Sequence, residues 1–196
     1  TLRQSYPARS EQLYALQANL LNEARRDAAS LALLQEAVAA FPDSTSLRYA
    51  RSVVHERRDD IDAAIADLRS IIAREPRNAT ALNALGYTLA NRTDRLDEAH
   101  GLLREALALE PNEPAILDSM GWVLYKKGDY DASIQYLTRA YAGFPDPEVA
   151  AHLGEVMWKN SNVDGARNIW RGALLKDPDH PVLLETLQRL GVDDLP

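Results

Sequence analysis

The chain has 196 residues, 46% of them hydrophobic, with a formal net charge of −7 and no cysteine. That charge argues against nucleic acid or an anionic membrane surface as the main partner. The missing Cys excludes disulfides and thiolate metal sites and leaves the compartment open.

No apolar run approaches the ~20 residues of a membrane span, and no signal peptide is visible. Residues 1–10 begin with Thr and read as the remnant of an upstream repeat, so any lipid anchor or targeting segment would lie further upstream. Five helical hairpins then follow in order. The first, 11–44, sets Leu13, Tyr14, Leu16, Leu20 and Leu21 around the small Ala18, and ends at Phe41-Pro42 because proline cannot continue a helix. The second, 45–78, departs most: Arg48, Arg51 and His55 stand where the other hairpins are mostly apolar. The third, 79–113, sets Leu82, Leu85, Gly86 and Leu89 against Ala99, Leu103 and Ala106, with one extra residue in its turn. The fourth, 114–146, sets Leu117, Met120, Gly121 and Leu124 against Ser133, Leu137 and Ala140. Its turn carries Gly128 for a left-handed cap and Asp129 for the next N-cap. The fifth, 147–180, sets Leu153, Gly154 and Met157 against Ala166, Trp170 and Ala173. Residues 181–196 form a last helix and tail. Val182, Leu183, Leu184, Leu187 and Leu190 cover the open end of the array, Glu185, Gln188 and Arg189 face water, and the residues after Gly191 are expected to be loose.

Three sets of residues keep one beat. Prolines 7, 42, 76, 111, 145 and 178 are separated by 35, 34, 35, 34 and 33 residues. Ala18, Ser52, Gly86, Gly121 and Gly154 mark close helix approaches, as do Ser30, Ala64, Ala99, Ser133 and Ala166. A period near 34 with these small and proline positions resembles the tetratricopeptide repeat over about residues 11–180. The resemblance implies an all-α TPR solenoid, a right-handed superhelix of helical hairpins with a C-terminal capping helix. The stretches 85–90, 118–125 and 151–158 further resemble the C-terminal part of Gram-negative outer-membrane repeat lipoproteins. Among those is the adaptor of a periplasmic carboxyl-terminal processing protease. This narrower likeness implies a periplasmic, outer-membrane-anchored scaffold that brings a protease and its substrates together. The alternative is a cytoplasmic repeat scaffold with an unrelated partner.

In such arrays the first helix of each hairpin lines the concave groove, as the resemblance implies. Stepping one residue from the packing face gives Asp118, Trp122 and Tyr125, at i, i+4 and i+7. The matching positions hold Tyr49 in the second hairpin, Asn83 and Tyr87 in the third, and Glu155 and Trp158 in the fifth. Exposed aromatics are enriched among binding hot spots, so these eight residues are the expected partner-binding groove for a protein or peptide. The plainer alternative is that some of the aromatics only fill space between helices. Asp118 and Glu155 are expected to be solvated carboxylates or partners for a basic residue, His152 a surface histidine beside the groove and the one histidine worth testing, and Trp170 a core residue. No enzyme is expected. The four histidines have no metal-ligand spacing, no catalytic motif is present, and no cofactor or metal is called for.

Overall fold

The computed structural model describes residues 10–192, so residues 1–9 of the expected upstream remnant and 193–196 of the expected tail lie outside the described residues. The described residues form eleven α-helices and no strand. They are α1 (Ser10–Glu23), α2 (Asp27–Ala40), α3 (Thr45–Arg57), α4 (Ile61–Arg74), α5 (Ala79–Arg92), α6 (Leu96–Leu109), α7 (Pro114–Lys126), α8 (Tyr130–Gly143), α9 (Pro147–Lys159), α10 (Val163–Leu174) and α11 (Pro181–Leu190). The chain divides into two compact units, Thr1–Thr88 and Leu89–Pro196, with the boundary inside α5.

Most of the turns between the helices of a hairpin are built alike. Their middle residue takes a left-handed conformation: Arg25 (φ 53°), Asp59 (φ 64°), Gly128 (φ 85°) and Ser161 (φ 64°). Only glycine adopts this conformation without a Cβ clash. The α5–α6 turn differs, because the Thr93 hydroxyl donates back to the Leu89 carbonyl at 2.6 Å and holds the chain there. Ser161 is exposed, and its side chain has no partner among the described residues. Ser161→Gly is therefore expected to gain about 0.5 kcal/mol, since the relief of a left-handed residue slightly exceeds the entropy that glycine adds to the unfolded chain. Urea unfolding reads the gain, and Gly128→Ala should move the midpoint the other way.

In the first unit, Tyr14 and Ala18 of α1 pack on Leu33, Leu34, Ala37 and Val38 of α2, with Leu47 and Val54 of α3 in the same core. Leu16 and Leu20 are exposed, on the side of α1 away from α2. The arginines of the second hairpin have a structural reason. Arg51 donates to both oxygens of the buried Asp67 of α4 through Nε and Nη2, at 2.7 and 2.6 Å, and Arg48 lies 3.7 Å from the same carboxylate. A buried ion pair thus stands where neighbouring hairpins place apolar groups. His55 is also buried and meets Asp60 at 3.1 Å, which ties the end of α3 to the start of α4.

In the second unit, glycines set the approach of paired helices. The Ser133 hydroxyl of α8 donates to the Gly121 carbonyl of α7 at 2.7 Å, and Trp170 of α10 lies directly over Gly154 of α9. Leu183 and Leu187 of α11 complete the core around Ala150, Ala151 and Trp170. Gly191 ends α11 in a left-handed conformation (φ 67°), and Val192 folds back under the helix as a buried residue instead of starting a loose tail. Its N–H reaches the Leu187 carbonyl at 3.0 Å. Leu184, expected among the covering residues, is exposed instead.

Candidate protein-binding face

The α7 and α9 helices each open with a proline at the first position, Pro114 and Pro147, where the missing N–H costs nothing. Asp146 also accepts a hydrogen bond from the Glu148 N–H at 2.8 Å, which fixes the start of α9. With α9 packed against both α7 and α11, residues at helical spacing on the three helices come together.

The result is a charged and aromatic network in place of an open row of side chains. His152 Nδ1 is 3.0 Å from both carboxylate oxygens of Asp118. The Trp122 ring stacks on the His152 imidazole, with centroids 4.2 Å apart and planes 24° from parallel. The Lys126 ammonium lies 5.5 Å from the centre of the same indole, so Trp122 carries two cationic neighbours when His152 is protonated. One turn along, Arg189 of α11 donates to both oxygens of Glu155 at 2.8 and 2.6 Å. Tyr125 donates its hydroxyl to Glu155 at 2.9 Å.

Three of the eight residues expected to line an exposed groove are therefore buried: Asp118 is 8% exposed, Trp122 7% and Glu155 2%. Neither carboxylate is solvated, because Asp118 meets the His152 imidazole and Glu155 the Arg189 guanidinium, each from the helix one repeat on. His152, expected at the surface, is 5% exposed. Arg189, expected to face water, is bound to Glu155 while its side chain stays 50% exposed. Tyr125 and Trp158 are half-buried and keep accessible surface. Trp158 packs against Trp170 with centroids 5.7 Å apart, and Trp170 is fully buried. In the first unit, Tyr49, Asn83 and Tyr87 are half-buried as well, and the Asn83 amide oxygen has no hydrogen-bond partner.

The electrostatics follow from burial and partners. Burial pulls His152 towards the neutral form, but the charge and hydrogen bond of Asp118, with Glu148 and Glu155 nearby, overcome it and raise its pKa. Burial would raise Glu155, yet the hydrogen bonds from Arg189 and Tyr125 and the Arg189 charge hold it below the usual glutamate value. Burial, then Glu155 itself, pushes the Tyr125 hydroxyl well up, and burial with the charge of Glu56 raises Tyr49. A histidine raised above its unfolded value of about 6.5 contributes stability below that pH and loses it as pH rises through the folded pKa. The urea midpoint of the wild type, measured against His152→Gln, should therefore fall between pH 6 and pH 9. A difference that stays flat over that range would rule out a protonated His152 in the fold.

The Asp118–His152 pair has the makings of a general base, but among the described residues no hydroxyl hydrogen-bonds to His152, and Ser119 donates to the Ala115 carbonyl at 2.9 Å. Among the described residues, no three His, Cys, Asp or Glu side chains gather as a metal site, and no helix is long and apolar enough to cross a membrane.

Two tetratricopeptide-repeat family models match the chain, one over residues 15–74 and 49–114 and the other over 124–190. The chain belongs to the tetratricopeptide repeat family. Such repeats are scaffolds that bind proteins or peptides, and the fold is typically non-catalytic. The TPR repeat-containing protein PA4667 of Pseudomonas aeruginosa is 45% identical over 153 residues. That match covers 78% of this chain and 26% of the relative, so the chain spans about a quarter of the length of the curated relative it matches. Among solved structures, the thermophilic TPR protein TTC0263 of Thermus thermophilus superposes with a TM-score of 0.82 at 21% identity, over 93% of this chain and 100% of that one. The pilF protein of Pseudomonas aeruginosa gives a TM-score of 0.70 at 19% identity, over 94% and 93%. These two likenesses concern the fold.

Sequence reasoning missed His152 and Arg189 as members of the TPR face. A signal for both was present. Asp118 and His152 are 34 residues apart, as are Glu155 and Arg189, so each pair sets opposite charges one repeat apart.

Proposed function

We propose that this TPR segment belongs to a periplasmic adaptor, anchored at the outer membrane in the full-length protein, that brings a carboxyl-terminal processing protease and its substrates together. The face of α7, α9 and α11 is the contact surface for that partner. The observation that carries the reading is a pair of half-exposed aromatics held on a rigid base. Tyr125 is fixed by its bond to Glu155, and Trp158 by its packing on Trp170. Aromatics held in place lose little side-chain entropy on binding and dominate interface energies. The likeness of α5, α7 and α9 to outer-membrane repeat lipoproteins supports the compartment and the protease partner, and the 45% identity to a Pseudomonas aeruginosa protein is consistent with a Gram-negative setting.

The test uses a purified carboxyl-terminal processing protease from a Gram-negative periplasm and one of its protein substrates. The full-length protein should bind the protease and raise its cleavage rate, with no turnover of its own. Trp158→Ala should weaken binding by about tenfold, as for a modest hot spot. No binding and no stimulation would sink the adaptor reading. Stimulation left intact by Trp158→Ala would move the contact off this face.

A further inference from the structure

We propose that the cleft between α6 and α8 is a second docking site, which holds a partner peptide segment carrying a bulky apolar side chain next to an Asp or Glu. The cleft is an open depression of about 420 Å3, comparable in size to small-ligand pockets. Leu107 of α6 and Tyr136 of α8 form apolar walls over a floor of Met120 and Leu124 from α7, while α6 adds the imidazole of His100 and the cationic guanidinium of Arg104. At 100° per residue, Met120 and Leu124 lie on the opposite side of α7 from Asp118 and Trp122. The cleft is thus distinct from the face described above and does not depend on its function.

Charge selects the occupant. Arg104 is exposed and makes no hydrogen bond or ion pair with any described residue. The surroundings of His100 are net cationic: burial first, then the charges of Lys127 and Arg104, lower its pKa, and Asp97 offsets this only in part. Asp97 itself is bound by Lys127. The Arg139 guanidinium lies 5.8 Å from the Tyr136 ring centre, adding a cation beside the far wall. On a chain of net charge −7, an apolar cleft with an unneutralised guanidinium at its mouth is complementary to an apolar group flanked by a carboxylate. A carboxylate can take two parallel hydrogen bonds from Arg104, and an amide of the same shape cannot match them.

Three fluorescein-labelled dodecapeptides test this, each of Gly and Ser around a central Phe-Asp, Phe-Asn or Ser-Asp pair. Anisotropy is read alongside amide chemical shifts of the full chain. The Phe-Asp peptide should saturate the protein at least tenfold more tightly than the other two, with shifts concentrated at residues 100–108 and 132–136. Arg104→Glu, a surface change that leaves the core intact, should remove that advantage, and Trp158→Ala should leave it unchanged. The proposal falls if no peptide perturbs the cleft at millimolar concentration, or if Phe-Asn binds as well as Phe-Asp. It also falls if the shifts map to Tyr125 and Trp158, or if the cleft takes a short single-stranded oligonucleotide and not the peptide.

Discussion

Gly154→Ala should destabilise the protein by about 3 kcal/mol or more, at the upper end of what overpacking a core costs. A Cβ on Gly154 would lie 2.1 Å from Nε1, 2.4 Å from Cε2 and 2.7 Å from Cδ1 of Trp170. The indole is fully buried among Ala166, Ala173 and Leu183, so it has no space to move into. The helices must separate, or the ring must leave its rotamer. Gly121→Ala meets Leu137 Cγ at 2.5 Å and the Ser133 carbonyl at 3.2 Å. It should cost less, because its shortest approach is 2.5 Å against 2.1 Å at Gly154, so a smaller shift relieves it. Urea unfolding of both variants checks the order. Gly154→Ala combined with Trp170→Leu should be less destabilised than the two single losses added together, because the smaller side chain makes room for the methyl group. Strict additivity would show that the two residues are not in contact.

Arg189→Leu should cost about 3 kcal/mol, because it leaves the buried Glu155 carboxylate with a single neutral donor, the Tyr125 hydroxyl. The reverse change should be milder, at about 1 kcal/mol, the worth of a net hydrogen bond. In Glu155→Gln the arginine, already half exposed, returns to water. The asymmetry follows from burial, since only one partner is stranded when the other is removed. A carboxylate held below its ordinary value of about 4.3 gives stability above that pH and loses it as pH falls through the folded pKa. The deficit of Arg189→Leu should therefore be largest at neutral pH and shrink towards pH 4, where Glu155 can take up a proton. A Glu155→Gln loss as large as that of Arg189→Leu, or a deficit independent of pH, would contradict the geometry. The interaction also ties α11 to the face of α9, so the same variant should weaken any partner that needs Trp158 in place.

Helices, turns and close approaches were legible in the sequence because each rests on local chemistry. Proline ends a helix by its own ring, and Gly128 meets a left-handed turn by lacking a Cβ. Gly121 and Gly154 appear where two helices must touch, and Trp170 falls in the buried register of α10. Periodicity alone therefore determined the hairpin order and the family. The register also brought out Asp118, Trp122, Tyr125, Glu155 and Trp158 as one face, although it assigned the first two and Glu155 to solvent. Only the tertiary structure decided that Asp118 and Glu155 are buried, that His152 and Arg189 are their partners, and that Arg48 and Arg51 share Asp67. The physical reason is that a side chain's exposure depends on the helix one repeat away. The stagger between successive hairpins decides whether opposite charges 34 residues apart meet within 3 Å, as Glu155 and Arg189 do, or stay in water.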